Sequence, residues 1–113
     1  MTNIKFFKSN KNFVGFECSG HTGYEEYGKD ILCATISGIT QSVVLGLKNV
    51  CKVNVNITKD DNVGYLKVEL PKNLNEDTLL KTQVLFETLY ESMKDLVSGY
   101  SSYISMEVIE NVY

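Results

Sequence analysis

His21 is the only histidine of the chain, and Cys33 is one of three cysteines, with Cys18 and Cys51. The two stand at opposite ends of one segment, Gly20-His21-Thr22-Gly23-Tyr24-Glu25-Glu26-Tyr27-Gly28-Lys29-Asp30-Ile31-Leu32-Cys33-Ala34. The histidine falls where a strand-like run ends, and the cysteine falls in the first turn of an apolar, helix-like run. With Asp30 as N-cap, Cys33 is the third helical residue, where unpaired amides and the positive end of the helix dipole favour a thiolate. A free thiol with pKa about 8.5 is only a few per cent ionised at neutral pH, and a helix start with a neighbouring histidine lowers that value. A thiolate–imidazolium pair is a nucleophile with a general acid beside it, and the same amides are candidate oxyanion donors. Gly20, Gly23 and Gly28 give the connecting segment conformational freedom.

Simpler readings stand next to each of these. Cysteine on an apolar helix also serves as ordinary packing, and a histidine at a strand end is often just solvated. Asp30 is most economically a cap; it could also orient His21, although its charge opposes a thiolate at Cys33. Ser37 lies one turn after Cys33 on the same face, as a donor or as a small residue that lets the helix pack closely. Tyr24, Glu25, Glu26 and Tyr27 make the segment aromatic and acidic, suited to an apolar or cationic peptide but equally ordinary on an exposed loop.

A metal site is not expected. Cys18 and His21 have a spacing that zinc sites use, and Cys33 and Cys51 would complete four ligands. Yet alternation points Cys18 into the core, and Cys51 has no second ligand near it. Nucleotide-binding glycine patterns are absent, and with no arginine in the chain a Cys-x5-Arg phosphatase loop is excluded. No cofactor is expected.

These residues must be held by strands and helices that the hydrophobic pattern marks. Ile4 and Phe6 alternate with polar or outward positions, and Val14, Phe16 and Cys18 do so after a turn at Ser9–Asn12. Val53, Val55 and Ile57 predict a further strand, with a hairpin turn at Lys59–Asn62 leading to Leu66, Val68 and Leu70. Ile104, Met106 and Val108 predict the last. Helical spacing marks Glu76–Ser98, with Asn75 as a cap, and Asp30 to about Leu47. The second of these is apolar nearly all round, so it should be buried on several sides, and a partner chain is one way to cover it. The order ββαββαβ predicts an α+β two-layer sandwich: a mixed or antiparallel sheet of about five strands with two helices on one face.

Composition agrees with a single domain over residues 1–113. At 113 residues, with 43% hydrophobic and 22% charged side chains, the chain supports one core and not two. No run approaches the roughly 18 apolar residues of a membrane span, and the start MTNIKFFKSN lacks a signal peptide's apolar stretch. An odd number of cysteines without such a signal fits a reducing cytoplasm. A net charge of −3 makes no electrostatic case for nucleic acid.

Gly20-His21, followed by Gly28-Lys29-Asp30-Ile31-Leu32-Cys33-Ala34 and Ser37, resembles the signature of the ribosomal-processing cysteine protease family, Prp. That family carries a GH pair after its second strand and G-x-D-[IV]-[VL]-C-A-x-x-S opening its first helix. Asp61-Asn62-Val63-Gly64-Tyr65-Leu66 is similar to its later hairpin, so nearly the whole chain is covered. The resemblance implies a cytoplasmic homodimeric endopeptidase that removes a short N-terminal extension from the twenty-seventh large-subunit ribosomal protein. It implies Cys33 as nucleophile and His21 as base and later acid, with Asp30 and Ser37 at supporting signature positions. The Gly20–Lys29 segment would then be the mobile element that admits substrate. One departure is visible: Thr22 stands where family members often have alanine. Rival expectations are a non-catalytic ribosome-associated binding protein and a purely structural dimerisation module.

Overall fold

Five strands and two helices follow one another as β1 (Thr2–Ser9), β2 (Asn12–Ser19), α1 (Ile31–Leu45), β3 (Asn56–Asp60), β4 (Tyr65–Glu69), α2 (Glu76–Gly99) and β5 (Ile104–Ile109). The computed structural model describes residues 1–26 and 30–112. The strands form one mixed sheet in the order β3-β4-β2-β1-β5, parallel only where β5 lies along β1. α2 carries the chain from β4 across to that edge strand, the long connection a parallel pair needs.

One sheet face and both helices share a single core. Ile4 and Phe6 of β1, Phe16 and Cys18 of β2, Val68 of β4 and Ile104 of β5 meet Leu32, Ile36, Val43 and Val44 of α1 and Phe86, Leu89 and Met93 of α2. The expected α+β sandwich is therefore present. Its centre is aromatic: Phe6 meets Phe13 edge-on at 5.6 Å, and Phe86 stacks on Phe13 at 6.1 Å and meets Phe16 edge-on at 6.2 Å. Each fully buried phenylalanine removes enough apolar surface to contribute about 1.5–3 kcal/mol.

The strand pattern departs from simple alternation in two places. The β1–β2 register shifts between Phe7 and Lys8, which pair with Gly15 and Phe13, so Val14 is an extra residue in β2. That bulge reverses the alternation, putting Phe13 in the core and leaving Val14 only half-buried. Gln83 of α2 satisfies the backbone there: the Phe13 amide donates to its Oε1 at 2.7 Å, and its Nε2 donates to the Phe13 carbonyl at 2.8 Å.

The strand expected from Val53 begins only at Asn56. Before it, α1 passes into a π-helical turn over Gly46–Val50, Lys52 takes φ +58°, and the Val53 amide donates to the Leu47 carbonyl at 2.9 Å. Those bonds tie residues 51–53 to the end of the helix and leave them off the sheet. The hairpin turn lies at 61–64, later than expected, because β3 pairs with β4 out to Asp60 opposite Tyr65.

The caps stand where the sequence puts them. Asp30 Oδ1 accepts the Cys33 amide at 2.9 Å, and Asn75 Oδ1 accepts the Thr78 amide at 2.8 Å. α1 is buried along one side only; Ile31 and Leu45, and Val50 in the turn that follows, are 64%, 55% and 78% exposed. The segment Ile31–Val50 is also long and apolar enough to cross a membrane, contrary to the sequence expectation. Leu32, Ile36, Val43, Val44 and Leu47 of this segment belong to the core, which accounts for one side of its apolar composition.

Candidate active site

The end of β2, the start of α1 and the β3–β4 hairpin enclose a cleft of about 690 Å³. His21, Cys33 and Ser37 all line it, as do Gly20, Gly23 and Asp30. The cleft is thus built by the elements that the sequence places on either side of residues 20–30. Gly28 lies outside the described residues, as does Tyr27.

His21 is set by two glycines. Gly20 has φ +87°, and a Cβ there would come within 2.6 Å of the Met1 carbonyl oxygen. Gly64 in the hairpin turn has φ +62° and lies close to the imidazole: a Cβ would stand 3.0 Å from His21 Cε1 and 3.2 Å from Nε2. Only glycine satisfies both the left-handed backbone and that approach. The hairpin thereby acts as the back wall of the imidazole.

Cys33 is half-buried and stands third in α1, after Ile31 and Leu32. Its amide is held by the Asp30 cap, and the Ala34 amide donates to the Asp30 carbonyl at 3.1 Å. The expectation that helix-start amides serve an oxyanion therefore does not extend to these two. The sulfur has its own donor, since the Thr22 amide points to Sγ at 3.3 Å.

Asp30 acts as a hub. Thr22 Oγ1 donates to its Oδ2, and the Cys33 amide donates to its Oδ1. Desolvation raises its carboxyl, but hydrogen bonds from Thr22, from the Cys33 amide and thiol and from the Glu25 amide outweigh it, holding the carboxyl at about 2. Asp30 is thus a carboxylate at any physiological pH. Tyr65, on the hairpin wall, is pushed up by its hydrogen bond to Glu17, then by burial and by the charges of Glu17 and Glu69. Cys18 is a core residue: burial, then the Glu17 charge, pushes its thiol up to about 12, which disfavours it as a nucleophile at neutral pH. Among the described residues, no group of three or more His, Cys, Asp or Glu could hold a metal ion.

The described half of the connecting segment is tied down. Tyr24 meets Tyr100 and Tyr103 edge-on at 5.6 and 5.1 Å, and its amide donates to Thr22 Oγ1 at 3.3 Å. Tyr24 thus packs towards the end of α2 and the start of β5.

With a cysteine at a helix start and a histidine on one cleft, the comparisons decide the family. The sequence model of the cysteine protease Prp family matches residues 1–105. The chain belongs to this family. Its relative "Ribosomal processing cysteine protease Prp" from Bacillus subtilis (strain 168) is 24% identical over 102 residues, which span 90% of this chain and 89% of the relative. The protein of that description from Staphylococcus aureus (strain Mu50 / ATCC 700699) is 25% identical over 87 residues, 77% of this chain and 78% of its own. The crystal structure of the essential ribosomal processing protease Prp from S. aureus, with a covalently linked product peptide, has the same fold at a TM-score of 0.85. That match has 21% identity and covers 96% of this chain and 99% of that one. Membership of Prp makes this chain a cysteine-type peptidase.

Two cleft features were not legible as site residues in the sequence. Gly64 was visible only as part of a hairpin similar to that of Prp, and its contact with His21 joins distant parts of the chain. Thr22 was visible only as a departure after the GH pair. The signal that could have drawn attention to it is its type, since a hydroxyl replaces a methyl next to the histidine.

Proposed function

We propose that this Prp-family chain is a cytoplasmic endopeptidase that removes the N-terminal extension of a large-subunit ribosomal protein, the twenty-seventh, with Cys33 as nucleophile and His21 as base. The observation that carries the reading is that Cys33, at the third position of α1, and His21, braced by Gly64, line one cleft. Family membership and the printed function of the Bacillus and Staphylococcus relatives support the substrate class.

In this mechanism Sγ attacks the scissile carbonyl and its proton passes to the His21 imidazole. The tetrahedral adduct collapses as His21 returns that proton to the leaving amine, which leaves a thioester on Cys33. Water then enters, gives a proton to His21 and attacks the thioester carbon, and the thiol is restored as the acid product leaves. Asp30 supports the site by capping α1 and fixing Thr22, and Ser37 offers a hydroxyl to substrate from the next turn. Gly20 and Gly23 frame the entrance for the peptide. No metal or cofactor takes part in this mechanism, and it needs neither nucleic acid nor membrane as a partner.

The chain acts as a homodimer in this reading, with the open side of α1 against a second copy. Exposed Ile31, Leu45 and Val50 favour such cover, because a small domain leaves few large apolar side chains in water along one helix.

Intact-mass analysis of the extended ribosomal protein, incubated with the enzyme, tests the reading. Loss of one defined N-terminal peptide is the expected result. Stable binding with an unchanged mass would replace the peptidase with a ribosome-associated binding protein.

A further inference from the structure

His21 and Thr22 lie on a short strip, residues 20–24, that leaves β2 and is fastened at both ends to one distant turn. At its far end the Tyr24 ring meets Tyr100 and Tyr103 edge-on, with centroids 5.6 and 5.1 Å away. Such pairs set the positive rim of one ring on the negative face of another, so they fix direction as well as contact. At its near end the Gly20 carbonyl accepts the Thr2 hydroxyl at 3.2 Å. Thr2 is buried, and its own amide donates to the Tyr103 carbonyl at 2.9 Å. Tyr103 therefore holds one end of the strip through its ring and the other through its backbone.

The turn that carries Tyr103 is itself held firmly. The amides of Tyr103 and Ile104 both donate to the Tyr100 carbonyl, at 2.9 and 3.2 Å, and the Tyr100 amide closes the end of α2 on the Leu96 carbonyl at 2.9 Å. Ile104 is buried in the core and pairs with Thr2 in the parallel β1–β5 ladder. Between the two fastenings, the Thr22 amide reaches Cys33 Sγ at 3.3 Å, and the Tyr24 amide reaches Thr22 Oγ1 at 3.3 Å. A shift of Tyr24 thus pulls on the residue that touches the sulfur, and a shift of Gly20 moves the residue before His21. Among the described residues that line the cleft, Tyr24, Tyr100 and Tyr103 have no place, so they act on it only through the strip.

We propose that the turn between α2 and β5 is a platform that positions the strip bearing His21 and Thr22, with Tyr24 and Tyr103 as positioning residues for the reaction at Cys33. This rests on the assignment of Cys33 and His21 as the reacting pair and deepens it. The two ends are held by different forces, a hydroxyl bond at Gly20 and ring packing at Tyr24, and loosening either one lets the strip shift. A misplacement of about 1 Å can cost about 100-fold in rate, so the effect should appear in kcat. KM should change less, because α1 and the hairpin still wall the cleft.

The test reads amide hydrogen exchange by NMR beside cleavage of a peptide spanning the junction between the extension and the mature ribosomal protein. The proteins are wild type, Tyr24→Phe, Tyr24→Ala, Tyr103→Leu and the double variant of the last two. Asn75→Ala, which weakens the opposite end of α2, controls for lost stability. In Tyr24→Ala and in Tyr103→Leu the Thr22 and Tyr24 amides should exchange at least about tenfold faster, with kcat down about tenfold and KM within about twofold. Tyr24→Phe should restore both, because the edge contacts use the ring and not the hydroxyl. The double variant should lose no more than Tyr24→Ala, since both changes remove one shared contact. Asn75→Ala should leave both readouts at their wild-type values. Where Tyr24→Ala does not fold, Thr2→Val loosens the near end and should lower kcat, and Thr2→Ser should restore it. Thr22 exchange within about threefold of wild type in both tyrosine variants would overturn the platform. Faster exchange with unchanged kcat would overturn its positioning role. If wild type cleaves nothing, the proposed function fails, and the exchange rates still decide the platform.

Discussion

Gly64→Ala separates the bracing of the imidazole from ordinary turn strain. The backbone cost comes first: φ is +62°, and an L-residue in the left-handed region costs about 1–2 kcal/mol. Gly23→Ala carries a similar cost, since φ is +71°, but its added methyl would meet nothing within 4 Å. Gly64→Ala adds contacts of 3.0 Å to His21 Cε1, 3.2 Å to Nε2 and 3.0 Å to the Gly20 carbonyl oxygen. Carbon contacts prefer about 3.5–4.0 Å, so something must retreat by roughly half an ångström. The Gly20 carbonyl is backbone and the imidazole is the far end of a side chain, so the imidazole moves. A misplacement of about 1 Å can cost 100-fold in rate, so half of that predicts a loss of about tenfold in kcat/KM. Urea unfolding and peptide cleavage are measured for both variants. Gly64→Ala should be the less stable of the two, and it should lose activity in kcat without a matching change in KM. Equal stability of the two variants, with kcat unchanged by Gly64→Ala, would refute the bracing of His21.

Three further outcomes are expected. Asp30 has its carboxyl lowered in the fold, so its contribution is present above the ordinary value of 3.8 and is lost as pH falls through about 2. Urea titrations between pH 5 and 2 should show about 1 kcal/mol of extra acid loss, discounted for solvent screening, which Asp30→Asn removes. Native-state alkylation at pH 8 should label Cys33 and spare Cys18, whose thiol is pushed up to about 12 by burial and then by the Glu17 charge; peptide mapping reads this directly. Asn75→Ala removes the acceptor of the Thr78 amide and should lower stability by about 1 kcal/mol in the same urea assay.

What the sequence made legible follows from how local each signal is. Both caps could be read from residue type, because Asp30 and Asn75 bond to amides three residues on. Alternation located Ile4 with Phe6 and Leu66 with Val68, but it could not register the bulge that brings Phe13 inward, since that depends on Gln83 far along the chain. Val53 and Val55 look like strand residues because they are β-branched; the backbone bonds that hold 51–53 to the end of α1 carry no such mark. The sheet was legible as mixed or antiparallel, and the parallel β1–β5 pair that decides between them joins the two ends of the chain. In the cleft, scarcity made His21 conspicuous and helix position made Cys33 so. Thr22 and Gly64 gain their places only through tertiary contacts, one across the connecting segment and the other across the hairpin.

The peptidase chemistry of Cys33 is tested most directly by comparing Cys33→Ala with Cys51→Ala on the extended ribosomal protein, with products read by intact mass. Cys51 is half-buried beside the core and has no place in the cleft, so its variant controls for loss of a thiol. Removal of the N-terminal peptide by wild type and Cys51→Ala, with no product from folded Cys33→Ala, is the predicted result. Cleavage at the same bond by Cys33→Ala at a rate within tenfold of wild type would contradict the assignment.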